Sequence, residues 1–505
     1  MDSQASKVPG TILSERKVTR PTDHIPKVVV ENERLRLKPR IGLWTAVAFV
    51  VGAIIGSGIF ISPRGALANS GSVGLSLVVW AVCGIISMLL GFVYAELGVI
   101  FPKSGGDYAI IKEGIGDVPA FLIAWTQCLV TQAGSRTVVA LVFADYVCVP
   151  FFGGCPVPNN IRKSIAAGKL LMIAITNAIS VRLVASIQGF FSSTKVIALV
   201  VITIGGIFYM SEGRLENFSN SFEGSSTDIT NIALACYSCM WAYAGFSNLN
   251  EITEEIINPK KNIPLAIVIS LTLVTGIYIT TNVSYFVLLS KSDFLSVPAV
   301  AYAWGERALG SAAIIIPICV MLSVYGAANG GFFTDVRTRF AAARSGHLPE
   351  VLSFLHHETR IPLASLVLNT TISLTLLIPG DISQLINLVS FVGFLQQGLT
   401  VASLLRFRYQ RRHLPMKKGE FRMPIIVPVI ALLVCSLMFV APFITDPKVE
   451  FFYGLGFILS GFIVYIPFVY LERKIPGFDK VTSFAQLMLQ ICPTVLDADL
   501  QMDKQ

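Results

Sequence analysis

The sequence predicts an all-α membrane protein with twelve transmembrane helices, built as a 5+5 inverted repeat in which helices 1 and 6 are broken. Three observations carry that expectation. The 505-residue chain is 53% hydrophobic and only 14% charged, with a mean hydropathy of +0.68, too apolar for an ordinary soluble protein. Its apolar residues fall into twelve runs of about the 20 residues that a helix needs to cross a bilayer. The first and sixth runs are interrupted by small and polar residues. Interrupted spans at matching positions in two halves are the mark of an inverted repeat with a binding site between the breaks.

Residues 1–40 are rich in charge and proline and poor in apolar side chains, so they are expected as a disordered cytosolic tail with no cleavable leader. The transmembrane domain is expected over 41–472. Its spans fall near 41–69, 73–99, 118–147, 164–183, 185–209, 228–250, 263–290, 311–335, 362–379, 383–405, 424–445 and 450–471. Residues 473–505 form a cytosolic C-terminal segment. An even number of spans places both termini on one side. The basic loop Arg406-Phe407-Arg408-Tyr409-Gln410-Arg411-Arg412, with Lys417, Lys418 and Arg422, makes that side the cytosol. The net charge of +8 therefore belongs to the positive-inside pattern and excludes a nucleic-acid partner.

The first break is Gly52-Ala53-Ile54-Ile55-Gly56-Ser57-Gly58-Ile59-Phe60. Each glycine costs a helix interior about 1 kcal/mol relative to alanine, and in a bilayer every freed backbone group needs another partner. A break of this kind turns amides toward an anion, commonly a carboxylate. The Ser57 and Gly58 amides are the candidates, although Gly52-xxx-Gly56 is also the small-xxx-small pattern of close helix packing. The second break lies within Cys239-Met240-Trp241-Ala242-Tyr243-Ala244-Gly245-Phe246-Ser247-Asn248. Carbonyls freed around Ile54, Trp241, Ala242 and Ala244 would receive an ammonium. An α-amino acid, with both charges a few ångströms apart, needs this combination.

Lys195 falls in mid-span, where an ionisable side chain points to function. Arg136, mid-way along the third span, faces either the pocket or a structural partner, with Asp145 and Asp335 the candidates. Neither metal-ligand spacing nor a nucleophile elbow is present, and the five histidines lie in tails and loops. No enzyme, metal or cofactor is expected. A channel would need charges or carbonyls along a continuous pore, whereas the two breaks converge on one place. A receptor is a further, less favoured alternative.

The motifs Gly56-Ser57-Gly58-Ile59-Phe60-Ile61-Ser62-Pro63, Tyr94-Ala95-Glu96-Leu97-Gly98, Lys103-Ser104-Gly105-Gly106, Thr253-Glu254-Glu255, Asn258-Pro259 and Gly346-His347-Leu348-Pro349 resemble those of heteromeric amino acid transporter light chains. These form the L-type amino acid transporter family of the amino acid–polyamine–organocation superfamily, and the resemblance runs from about Arg40 to Pro493. It implies a bacterial leucine-transporter-like fold in the plasma membrane and sodium-independent exchange of amino acids. It implies further that Trp241 gates the pocket. Lys195 would replace a sodium ion between the first and eighth spans, with Ser323 as its eighth-span partner. Cys155 would form a disulfide to a single-span glycoprotein heavy chain; a Cys148–Cys155 bridge is the alternative. Asn217-Phe218-Ser219 is a glycosylation sequon in a family whose light chains usually carry no glycan.

The b(0,+)-type branch is resembled by Tyr146-Val147-Cys148-Val149-Pro150-Phe151, but that branch has an aspartate where this chain has Ala244. The C-terminal run from Phe478 to Leu487 resembles the aspartate/glutamate branch. Gly393 stands where a bulkier residue usually shapes the pocket, which implies room. Neutral amino acids and cystine are the expected substrates, with anionic amino acids the alternative that a pocket-facing Arg136 would favour.

Overall fold

The computed structural model describes residues 41–101, 106–152, 157–179, 181–297, 299–412, 421–444, 449–473 and 477–493. The expected N-terminal tail, Lys103 to Gly105, Cys155, the loop lysines Lys417 and Lys418, and the end of the C-terminal segment lie outside them.

The first apolar run forms α1 (Leu43–Ile54) and α2 (Gly58–Ser70), bent by 51° at the glycine-rich break. A left-handed Gly71, whose amide bonds Leu67 O, ends α2. The Ser72 hydroxyl caps α3 (Val73–Ile100) by accepting from Leu75 N. After a short α4 (Gly106–Gly114), α5 (Asp117–Thr126) and α6 (Gln132–Phe152) form one long helix with a π-helical turn at Gln127–Thr131. Then come α7 (Asn159–Ile179), α8 (Val181–Ser211) and α9 (Ile229–Tyr243), the last capped by Asp228. A 3₁₀ segment, Phe246–Glu255, continues α9 past its break.

The second half holds α10 (Pro259–Leu288), the short α11 (Lys291–Ser296) and α12 (Val300–Leu309), and α13 (Ile315–Arg344). It continues with α14 (Leu363–Leu376), α15 (Ile382–Gln410), α16 (Ile426–Val440) and α17 (Val449–Val464). The chain closes on α18 (Phe478–Leu489), and two antiparallel strands, β1 (Leu355–His356) and β2 (Ile491–Cys492), pair at one end of the molecule. The eighth apolar run, expected to stop at 335, continues to Arg344, so Asp335 and Arg339 belong to a helix interior.

Among the described residues, seven helices are long and apolar enough to cross a membrane, and the bent pair α1–α2 makes an eighth. The protein is therefore a multi-pass membrane protein. Side chains such as Ile85, Ile175, Leu433 and Ile463 are exposed, as lipid-facing positions require, while polar groups turn inward. Glu96 on α3 and Arg408 on α15 are both buried, with Arg408 Nε 2.7 Å from Glu96 Oε1. Met423 N adds a third donor to this carboxylate at 2.9 Å. Two charges taken out of water persist only when paired and hydrogen-bonded in this way, so the pair fixes where α15 meets α3.

Candidate functional site

The two breaks meet. A Cβ added at Gly58 would stand 2.4 Å from Ala242 Cα, and one at Gly245, where φ is +116°, would stand 2.9 Å from Ala53 O. Both positions need glycine because backbone crosses backbone there. Gly58 opens α2, so its amide belongs to the N–H groups that a helix leaves open at its start. Ser57 beside it is buried. Each first half-helix ends at the same place: Ile54 closes α1 and Tyr243 closes α9, presenting the negative end of a helix dipole. The start of α2 and the ends of α1 and α9 thus lie together at one junction.

Tyr278, buried on α10, spans both acceptor ends. Its hydroxyl lies 3.1 Å from Ile54 O and 3.0 Å from Ala242 O. One proton serves one carbonyl at a time, so the hydroxyl leaves an acceptor open in either orientation. The ring is held edge-on by Trp80 at 5.6 Å and tilted against Tyr243 at 5.2 Å. Tyr243 in turn donates to Trp80 O. An aromatic residue inside an apolar run gives no local signal of this role, and sequence reasoning missed it.

Of the other expected site residues, Ala242 is buried, Trp241 is half-buried and Ala244 is exposed in the second break. A Cβ at Gly393 would meet nothing within 4 Å, so the space beside this half-buried glycine of α15 is open. Lys195 is buried and donates to Gly52 O on α1. Ser323, its expected partner on α13, is also buried, but among the described residues its hydroxyl has no hydrogen-bond partner. The lysine therefore reaches one of the two spans expected of it.

Arg136 pairs with Asp335, with Nε 2.8 Å from Oδ2 and Nη2 3.3 Å from Oδ1. Its guanidinium lies against Gly331 of the same α13 helix. The other candidate, Asp145, is taken by Arg162, with Nη2 at 2.8 Å. The Asp335 cluster continues through Asn369 to the fully buried Arg339, whose Nη2 donates to Asn369 Oδ1 and to Cys128 O in the π-helical turn. Lys169 on α7 is a second buried lysine, donating to Val139 O at 2.9 Å and Val324 O at 3.4 Å. It too falls within an expected span, so the rule applied to Lys195 would have found it. Cys148 is buried near the end of α6, and the expected disulfide at Cys155 lies outside the described residues. The Asn217 amide donates to Phe286 O at 3.0 Å.

The family model for amino acid permeases matches residues 41–468. The b(0,+)-type amino acid transporter 1 of Mus musculus is 39% identical over 467 residues, covering 92% of this chain and 95% of that protein. The cystine/glutamate transporter of Homo sapiens is 38% identical over 467 residues, covering 91% and 92%. The large neutral amino acids transporter small subunit 2 of Mus musculus is 39% identical over 464 residues, covering 91% and 86%. These relatives are transporters rather than enzymes, and with the match running across both helix breaks this chain belongs to the amino acid permease family.

Proposed function

We propose that this protein is the light, transporting subunit of a heterodimeric, sodium-independent amino acid antiporter that exchanges neutral amino acids and cystine by alternating access. The observation that carries the reading is the convergence of the two breaks, with Gly58 against Ala242 and Tyr278 between Ile54 O and Ala242 O. In this reading the Ser57 and Gly58 amides hold the substrate carboxylate, and carbonyls around Ile54, Trp241, Ala242 and Ala244 hold the ammonium. Trp241 covers the pocket, and the open space at Gly393 takes the side chain.

Added to the eight spans, α7, α8, α14 and α9 with its 3₁₀ continuation make twelve. A 5+5 inverted repeat then relates the two breaks. Both termini lie in the cytosol of a plasma-membrane protein, and Cys155 bonds a single-span glycoprotein heavy chain. Lys195, bonded to Gly52 O, supplies the positive charge that a sodium ion supplies elsewhere.

The Arg136–Asp335 ion pair favours neutral substrates and cystine over the anionic alternative. A guanidinium already neutralised by a carboxylate at 2.8 Å has little net attraction left for a second one. The test is exchange by the heterodimer in proteoliposomes. Preloading with unlabelled amino acid should speed labelled uptake equally in sodium and choline media. Uptake indifferent to preloading would mean a channel, and uptake that needs a sodium gradient would remove the role given to Lys195.

A further inference from the structure

We propose that α18 is an interfacial helix whose outer flank lies in the bilayer, at the boundary between headgroups and acyl chains. The helix has three sectors. Phe478, Ala485 and Leu489, at i, i+7 and i+11, pack on a cluster that holds Ala343, Val351, Leu352 and Ala364, at the end of α13 and the start of α14. Asp479, Lys480 and Ser483 are exposed and polar. Between these sectors lies an uncovered apolar flank. Val481, Phe484 and Met488, at i, i+3 and i+7, are 56%, 63% and 67% exposed, whereas Leu487, 81% exposed, falls one turn from Ser483 within the polar sector.

A helix packed only on protein needs one apolar face. This one has two, which is the division expected where protein, lipid and water meet along a single helix.

Its height in the membrane is set at both ends. Seven residues separate its start from Tyr470, the end of the helix that continues α17. Beyond its other end, β2 pairs with β1 through Leu355 and Cys492, close after α13. Ala364, part of the cluster it packs on, is the second residue of α14, and Val367 one turn further on is exposed like the lipid-facing residues of the spans. The helix therefore sits where α14 enters the apolar layer, and its free flank meets the surface that α14 meets. A flank of large, uncharged side chains at that depth fits lipid. The charged residues Asp479 and Lys480 stay out of it, and Lys480 is long enough to reach the headgroups.

The photo-reactive residue benzoylphenylalanine, placed singly at Phe484, Met488 or Ser483 of the full heterodimer in phosphatidylcholine vesicles, tests this by mass spectrometry. Both Phe484 and Met488 should yield several-fold more lipid adduct than Ser483. Two sites on the flank guard against one variant folding poorly. Adducts at Phe484 and Met488 to residues 494–505 of this chain, to a second copy or to the heavy chain would overturn the proposal, as would equal lipid labelling at all three positions.

Discussion

Arg136 shows what a single side chain decides. Facing the pocket unpaired, it would draw anionic substrates; paired with Asp335, it joins α6 to α13. The pair is largely buried, so removing one partner leaves the other as a bare charge, at a cost of about 3 kcal/mol or more. Arg136→Gln should lower neutral and anionic uptake together and reduce thermal stability. The double variant Arg136→Gln/Asp335→Asn should recover much of both, because it leaves neither charge alone. Thermal unfolding and uptake of labelled leucine and glutamate would check this, and loss of glutamate uptake alone would return Arg136 to the pocket. The sequence named both candidate partners but could not choose between them. Asp145 lies two turns along the same apolar run and Asp335 lies in a distant span, and no spacing along the chain records which helices touch.

At the scale of elements, the two broken helices were legible because breaking a membrane helix takes residues that an apolar span otherwise avoids. The crossing of their backbones gives the break a sharper consequence than composition could. Gly58→Val would drive a branched side chain into Ala242, an overpacking cost of about 1–3 kcal/mol placed at the junction itself. Exchange should be abolished while the protein still reaches the membrane, as surface labelling with transport assay would report; retained uptake would mean the junction is not the site. The π-helical turn at Gln127–Thr131 was not legible, because its apolar pattern matches that of an ordinary helix while the carbonyl taken by Arg339 is visible only in three dimensions. Another junction joins α4, α5 and the end of α13. Tyr108 Oη is hydrogen-bonded to His347 Nδ1 at 2.9 Å, and Nε2 lies 3.5 Å from Asp117 Oδ1. Burial, aided by Lys112, pushes the imidazole from the ordinary 6.5 down to about 4, against the pull of Asp117. The folded state thus binds fewer protons than the unfolded state between these values. The contribution of His347 is complete above 6.5 and is lost as pH falls toward 4. Melting temperature measured across that window should fall less in His347→Gln than in the parent protein, and identical profiles would contradict the assignment.

For the whole molecule, hydropathy and the two interruptions carried the membrane class and the place of the junction, because both are one-dimensional properties of the chain. What completes the junction is not one-dimensional. Tyr278 reaches it from α10, and its ring is set by Trp80 from α3 and Tyr243 from α9, so three separate spans prepare one hydroxyl. Buried lysines and ion pairs likewise link helices that lie far apart in sequence. An amino acid held between donors from α2 and acceptors from α1 and α9 needs both of its charged groups. The most direct measurement is competition against labelled leucine uptake in proteoliposomes by unlabelled leucine, by leucinamide, which lacks the carboxylate, and by 4-methylpentanoate, which lacks the ammonium. Leucine should compete fully and the other two should fail at the same concentration. Competition by leucinamide equal to that of leucine would contradict the claim that the Ser57 and Gly58 amides receive the carboxylate.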